Sequence, residues 1–308
     1  MRVVVTGAAG FIGSHLTERL LADGHEVVAV DSFNDYYDPS RKRENAAGFE
    51  VVEADLETAE LDELVAGADG IFHLAGQPGV RASFGDDFQL YVRRNLLASQ
   101  RLFEAAAGHG VRVVYASSSS VYGDAESYPT TEDAVPRPIS PYGVTKLACE
   151  QLAYALARTA GLEAVGVRYF TVYGPRQRPD MAFTPMLEAL AERRAFRLFG
   201  DGSVSRSFTY VGDAVAGTVA AMAGGRAGGL YNIGGGDEAT MRDAISLAEE
   251  IAGIELELDV LPAARGDVQR TKADVTRAAA DFGFAPETGL DTGLRAQWEW
   301  AAARVRAA

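Results

Sequence analysis

Over its first 170 residues the chain alternates apolar runs of five or six residues with longer amphipathic patterns, and few folds accept such a sequence. Strand-like runs stand at 2–6, 26–30, 49–53, 70–74, 111–116 and 164–169. Among them lie a periodic run through Leu16, Leu20 and Leu21 and helical patterns at about 57–67, 88–108 and 141–160. Strands joined by helical crossovers pair in parallel, and the helices cover both faces of the sheet. After Tyr169 the alternation stops, and Pro, Gly and Arg crowd the stretch Gly174-Pro-Arg-Gln-Arg178-Pro-Asp180. Beyond it the pattern predicts a helix at 183–193, a strand pair near 197–209, a helix at 212–223, a strand at 229–233, and helices at 240–252 and 288–305.

The first strand runs straight into Gly7-Ala-Ala-Gly10-Phe-Ile-Gly13 and then into helix. Gly7 permits the tight turn, Gly10 lets the backbone approach a pyrophosphate, and Gly13 lets the helix pack close to the strand. The second strand ends in Asp31. A carboxylate there accepts both hydroxyls of an adenosine ribose and repels a 2′-phosphate, which favours NAD over NADP. The predicted architecture is α/β: a Rossmann-type doubly wound parallel sheet with a smaller mixed α/β substrate lobe. Residues 1–170 are expected to form the NAD-binding domain, with about 205–235 returning to it, and 171–204 with 236–308 to form the second lobe. Open sheets of this kind bind ligands at the carboxyl ends of their strands, where Asp55-Leu56, Leu74-Ala75-Gly76 and Ser117, Ser118, Ser119 and Ser120 fall.

A net charge of −14 argues against a surface built for nucleic acid or anionic membrane, but it allows a local basic pocket for an anionic small molecule. One cysteine, Cys149, cannot form an internal disulfide, and with no base apparent beside it the residue reads as packing. No charged leader with an apolar run opens the chain, and no stretch of about 18 apolar residues follows, so a cytoplasmic protein is expected, without metal. Arginine outnumbers lysine 26 to three, the lysines being Lys42, Lys146 and Lys272. Against that preference, Lys146 stands four residues after Tyr142 at a helix start, on the same face. A phenol titrates near pH 10, so as a base it requires such a cation. The hydroxyls of Ser117–Ser120 can bond a substrate oxygen and share a proton with the tyrosine. With an NAD-type turn, the group describes hydride chemistry at a carbinol.

Five segments in order resemble the extended short-chain dehydrogenase/reductases, and among them the nucleotide-sugar 4-epimerases: the glycine turn, His73-Leu-Ala-Gly-Gln77, Ser117-Ser-Ser-Ser-Val-Tyr-Gly123, Tyr142-Gly-Val-Thr-Lys146 and Arg168-Tyr-Phe-Thr-Val-Tyr-Gly174. Asn34-Asp-Tyr-Tyr-Asp38, Gln77-Pro-Gly-Val-Arg81 and Gly174-Pro-Arg-Gln-Arg178-Pro-Asp-Met-Ala182 are similar to UDP-glucuronate 4-epimerases. The resemblance implies tightly held NAD, with contacts from Phe11, Ile12, Asn34, Gln77, Asn95 and Tyr169 as well as the residues above. It implies catalysis by Tyr142, Lys146 and Ser118, with Ser119 and Ser120 as candidates for the same serine role. Substrate contacts are implied from Arg81, Thr171, Arg178, Arg206, Arg265 and Asp267, Thr171 and Arg178 suiting a hexuronate carboxylate. The implied reaction is reversible C4 epimerisation of UDP-glucuronate to UDP-galacturonate, through a 4-keto sugar and transient NADH, by a homodimer. UDP-glucose or UDP-N-acetylglucosamine 4-epimerisation is the alternative. A 4,6-dehydratase is disfavoured because such relatives carry Asp-Glu where Ser119-Ser120 stands. The Arg178-Pro-Asp-Met-Ala182 segment looks less like a decarboxylase, and intact Ser, Tyr and Lys argue against a non-catalytic NAD-binding regulator.

Overall fold

The computed structural model describes residues 1–263, 266 and 268–307. Strands Arg2–Thr6 (β1), Glu26–Asp31 (β2), Val51–Glu53 (β3), Gly70–His73 (β4), Arg112–Ser118 (β5) and Ala164–Tyr169 (β6) arise where the apolar runs predict them. Thr171–Tyr173 (β7), Phe196–Phe199 (β8) and Ser205–Tyr210 (β9) come before Leu230–Ile233 (β10), which returns to the first sheet. That sheet has seven parallel strands in the order β10-β6-β5-β4-β1-β2-β3, so strand order reverses between β1 and β4. At such a reversal the crossovers diverge and leave a crevice.

Helices Phe11–Ala22 (α1), Pro39–Asn45 (α2), Leu61–Val65 (α3), Phe88–Tyr91 (α4), Ala98–His109 (α5), Pro141–Thr159 (α6), Phe183–Glu192 (α7), Val211–Gly224 (α8), Met241–Ala252 (α9), Thr276–Phe282 (α10) and Leu290–Ala307 (α11) complete the frame. α1, α8 and α10 pack together on one face of the large sheet, and α3, α5 and α6 on the other. The central parallel strands are therefore buried on both sides, β6, Ala-Val-Gly-Val-Arg-Tyr, at every position, whereas the edge strand β3 is partly exposed. A separate apolar cluster forms the core of the smaller lobe, where Phe183, Leu187 and Leu190 of α7 meet Ala244, Ile245 and Ala248 of α9 and Leu294 and Ala301 of α11.

Some expectations are corrected. β8 and β9 do not pair with each other: β8 pairs with Leu258–Leu261 (β12), whereas β9 pairs with β7, Glu238–Thr240 (β11) and Arg270–Thr271 (β13). Their proximity in sequence was the only local signal, and long-range partners won. The helix expected at 88–108 is broken by a π-helical stretch, Val92–Leu97, between α4 and α5. The helix expected at 57–67 shortens to α3, because the backbone at Asp55 turns back and accepts bonds from Thr58 and Ala59. β5 runs on through Ser117 and Ser118, since both pair with β6, at Arg168 and Tyr169. α2 carries no apolar stripe and was not predicted.

His73 ends β4 among buried partners: its Nδ1 lies 2.7 Å from Thr6 Oγ1 and its Nε2 2.9 Å from Ser99 Oγ. Burial, and then the charge of Lys146, push its pKa down to about 3. The unfolded imidazole takes a proton near pH 6.5 and the folded one only near 3, so the unfolded state binds more protons between these values. Stability is full above about pH 6.5 and falls on acidification, by at most about 1.4 kcal/mol per pH unit from this group. His73→Gln is expected to flatten the decline between pH 6.5 and 5, leaving the part from His15, whose pKa burial also lowers, and the onset of that from carboxylates held low by their partners, such as Glu238. Urea titrations across that range check it; an unchanged slope in the variant refutes the assignment.

Candidate active site

The carboxyl ends of β1, β2, β4, β5 and β6 open onto one cleft of about 1140 Å³. Its near wall is the glycine turn. Gly7 has φ +72°, and a Cβ there would stand 2.7 Å from the nitrogen of Ala75; a Cβ on Gly13 would stand 2.0 Å from the oxygen of Gly7. Only a bare backbone fits these positions. Asp31 ties the turn down, Oδ2 accepting from the nitrogen of Ala9 at 3.1 Å and Oδ1 from that of Phe33 at 2.8 Å. Gly10, Phe11, Ile12, Asn34, Asp55, Leu56, Leu74, Ala75, Gly76, Gln77 and Tyr169 line the same wall. These residues fit a dinucleotide: a turn without side chains at its crowded points, a buried carboxylate at the end of β2, and a groove that continues along the sheet edge.

Asn95 has a structural part that the sequence did not show. It lies at the π-helical stretch behind the cleft, not among its lining, and holds the loop after β4: Oδ1 accepts from the nitrogen of Gln77 at 2.6 Å, and Nδ2 donates to the oxygen of Gln77 and to Thr145 Oγ1 at 3.1 and 3.0 Å. Cys149 donates its thiol to the Asn95 carbonyl and is buried there, as packing.

α6 starts sharply. Pro141 occupies its first turn, and Ser140 Oγ accepts from the nitrogen of Gly143 at 3.1 Å, a standard stop for an unpaired N–H. Tyr142 therefore projects at the cleft with its ring edge-on to Tyr91, centroids 6.3 Å apart. Lys146, one turn on and buried, donates to the Ala116 carbonyl of β5 at 3.0 Å. An ammonium has three protons, so this bond fixes the side chain and leaves donors for the cleft. Ser118, Ser119 and Ser120 line the cleft too, Ser118 Oγ accepting from the nitrogen of Ser120 at 3.1 Å. The serine turn lies hard against the helix start, since a Cβ on Gly143 would stand 2.5 Å from the oxygen of Ser120.

Ser117 is turned to another use. Its hydroxyl donates to Glu150 Oε1 at 2.5 Å, and Glu150 takes Arg168 through Nε and Nη2 at 2.8 and 2.7 Å. Both charged side chains are almost wholly buried, at 1% and 2% exposure. Arg168 Nη1 also donates to Tyr122 Oη at 2.8 Å and to the Glu132 carbonyl at 3.2 Å. Sequence reasoning missed this pair. The signal was present: an arginine inside an otherwise apolar buried strand requires a counter-charge, and Glu150 lies one turn beyond Lys146.

Among the described residues, eight cations line the cleft (Lys42, Arg81, Arg94, Lys146, Arg178, Arg194, Arg197 and Arg206) against three carboxylates (Asp31, Asp55 and Asp180), the local basic pocket that a net charge of −14 still allows. Lys42 was not foreseen; it donates to the carbonyl and Oδ1 of Asn34, both at 2.8 Å. Arg81 stacks over Phe199 at 4.4 Å, and Arg206 Nη1 donates to the Ser205 carbonyl at 2.9 Å. Thr171 and Arg178 line the cleft beside Tyr142, but Arg178 already holds Asp180, Nε to Oδ1 at 3.0 Å and Nη2 to Oδ2 at 3.1 Å. Arg265 and Asp267 lie outside the described residues.

A doubly wound sheet whose cleft joins a glycine-rich first turn to a tyrosine, a lysine and serines defines a dinucleotide-dependent enzyme. Residues 3–234 match the model of the NAD dependent epimerase/dehydratase family, and the chain belongs to that family. It is 41% identical over 303 residues to "Uncharacterized UDP-glucose epimerase YtcB" of Bacillus subtilis (strain 168), covering 96% of each chain. It is 36% identical to UDP-glucuronate 4-epimerase 3 of Arabidopsis thaliana, over 97% of this chain and 76% of the relative. A crystal structure of UDP-glucuronic acid 4-epimerase from Bacillus cereus, in complex with UDP-glucuronic acid and NAD, superposes with a TM-score of 0.96 at 38% identity, covering 99% of this chain and 100% of that one.

Removing one member of a buried ion pair leaves the other charge uncompensated, which costs about 3–5 kcal/mol. Arg168→Met is expected to destabilise by that amount, and adding Glu150→Met to recover much of it. Urea denaturation of both variants measures this; a loss below about 1 kcal/mol in the single variant contradicts it.

Proposed function

We propose that this enzyme inverts C4 of UDP-glucuronate, reversibly giving UDP-galacturonate. The observation that carries the reading is that Thr171 and Arg178 share one cleft with Tyr142, Lys146 and the serine turn. Relatives named for UDP-glucuronate and UDP-glucose support the nucleotide-sugar class. NAD, when bound along the glycine turn, supplies the acceptor and donor of hydride at C4. Gly7, Gly10, Phe11, Ile12 and Gly13 would hold its pyrophosphate, and Asp31 its adenosine ribose.

Tyr142 as phenolate takes the proton of the 4-hydroxyl. Lys146 favours that phenolate by its charge, and Ser118 hydrogen-bonds the same oxygen. The 4-keto sugar then turns its other face, and Tyr142 returns the proton to the oxygen of the inverted alcohol. In the uronate this ketone is β to the carboxylate, which leaves as carbon dioxide if it swings perpendicular to the carbonyl plane. Thr171 and Arg178 prevent that by holding the carboxylate in place. Arg178 has donors for it, because Asp180 engages Nε and one proton of Nη2 and leaves the far end of the fork.

UDP-glucose, or its N-acetylglucosamine relative, is the second reading. The Arg178–Asp180 pair favours it, because a guanidinium already matched by a carboxylate does not demand another. Decarboxylation and a non-catalytic regulatory role are weaker readings. The division into an NAD-binding unit, 1–170 with about 205–235, and a nucleotide-sugar unit, 171–204 with 236–308, belongs to this proposal, as do Arg81, Arg206, Arg265 and Asp267 as substrate contacts. So does a cytoplasmic homodimer, supported by the single cysteine and the family resemblance.

Incubation with UDP-glucuronate and separation of the products tests the reaction. UDP-galacturonate is expected; UDP-xylose or a 4-keto pentose would mean decarboxylation, and turnover of UDP-glucose alone would remove the role given to Arg178. Tyr142→Phe is expected to lose at least about a hundredfold in kcat while retaining bound NAD, and near-normal turnover refutes the assigned base.

A further inference from the structure

Three segments far apart in the chain meet at one end of the cleft. Tyr36 Oη, from the loop after β2, donates to Asp180 Oδ2 at 3.2 Å. Asp180, from the loop after β7, grips Arg178 through two parallel bonds. Gly79, from the loop after β4, has φ +97°, and a Cβ on it would lie 2.1 Å from Tyr36 Oη. The tyrosine hydroxyl thus rests on a bare backbone and is aimed at the carboxylate. Asp180 is held from two sides, so its bond to Arg178 is a built feature and not a chance surface contact. Arg178 and Asp180 both line the cleft that Tyr142 also lines.

We infer that Asp180 is a specificity-determining residue: it is a built-in counter-charge to Arg178 that weakens discrimination between a carboxylate and a hydroxymethyl group at C6 of the sugar. This rests on the reading of the cleft as a nucleotide-hexose site with C6 facing Arg178. A uronate carboxylate arriving there meets a neutral ion pair. Its attraction to the guanidinium is opposed by repulsion from Asp180 a few ångströms away, and in a partly buried site neither is strongly screened. A neutral hydroxymethyl group gains and loses little from either charge. The native site therefore accepts both kinds of sugar, and selectivity for the uronate is held back by one side chain. Asp180→Asn keeps the shape and an acceptor for Arg178 while removing the opposing charge.

Equilibrium binding of UDP-glucuronate and UDP-glucose to the NAD-loaded Tyr142→Phe protein, with and without Asp180→Asn, tests this without turnover. The ratio of the two Kd values is expected to shift about tenfold or more towards UDP-glucuronate in the Asp180→Asn protein. A loosened loop would weaken both sugars alike, so the ratio isolates the charge. An unchanged ratio overturns the inference and leaves the functional reading standing. A shift towards UDP-glucose overturns it as well, and would make Asp180 a positioning residue for Arg178. If neither nucleotide sugar binds, the functional reading fails and the inference with it.

Discussion

Glu150 and Arg168 are shut away from water, and each satisfies the other through two parallel hydrogen bonds. A charge taken out of water is tolerated only when paired and hydrogen-bonded in good geometry. The pair thereby fixes where α6 lies on the sheet, because Glu150 belongs to the helix, Arg168 to β6 and the third partner, Ser117, to β5. Tyr142 and Lys146 are carried by the same helix, two turns and one turn before Glu150. The proton transfer proposed for Tyr142 requires a defined distance from the substrate, and the buried clamp between this same helix and the sheet fixes the position of its side chain.

The topology explains why the cleft stands where it does. Strand order reverses between β1 and β4, and the loops leaving β1, β2, β4 and β5 all empty into the space so created. Each wall is made by a device suited to backbone at close quarters: the glycine turn, the π-helical stretch that lets Asn95 reach the Gln77 backbone, and the capped start of α6. None needs a large hydrophobic surface, so the polar cleft is compatible with the packed strands beneath it.

Charge follows the same division. The protein as a whole is strongly acidic, which keeps its outer surface from attracting polyanions, yet cations predominate among the described residues of the cleft. Low-dielectric walls concentrate that field on a diphosphate and leave the outer surface unaffected. Where Arg178 and Asp180 meet the balance changes: the two charges cancel, and Tyr36 braces the pair by direct contact with Asp180. In the proposed reading, net positive charge governs the diphosphate end of the site and hydrogen-bond geometry its sugar end.

Periodicity and glycine spacing in the sequence were enough to determine the parallel sheet, the dinucleotide turn and the Tyr142–Lys146 pair, because these depend on interactions within one strand-turn-helix unit or one helical turn. Asp31 was legible as the end of β2, but not its bonds to the backbone of Ala9 and Phe33. The bonds by which Asn95 supports the loop after β4 were not legible, because a π-helical stretch cannot be read from apolar spacing. The partners of β8 and β9, the Glu150–Arg168 clamp and the meeting of Tyr36, Gly79 and Asp180 were decided by tertiary structure alone. They join residues from 18 to more than a hundred positions apart, and the energy that selects such a contact, desolvation of a charge or a close approach to bare backbone, exists only once the sheet has brought them together.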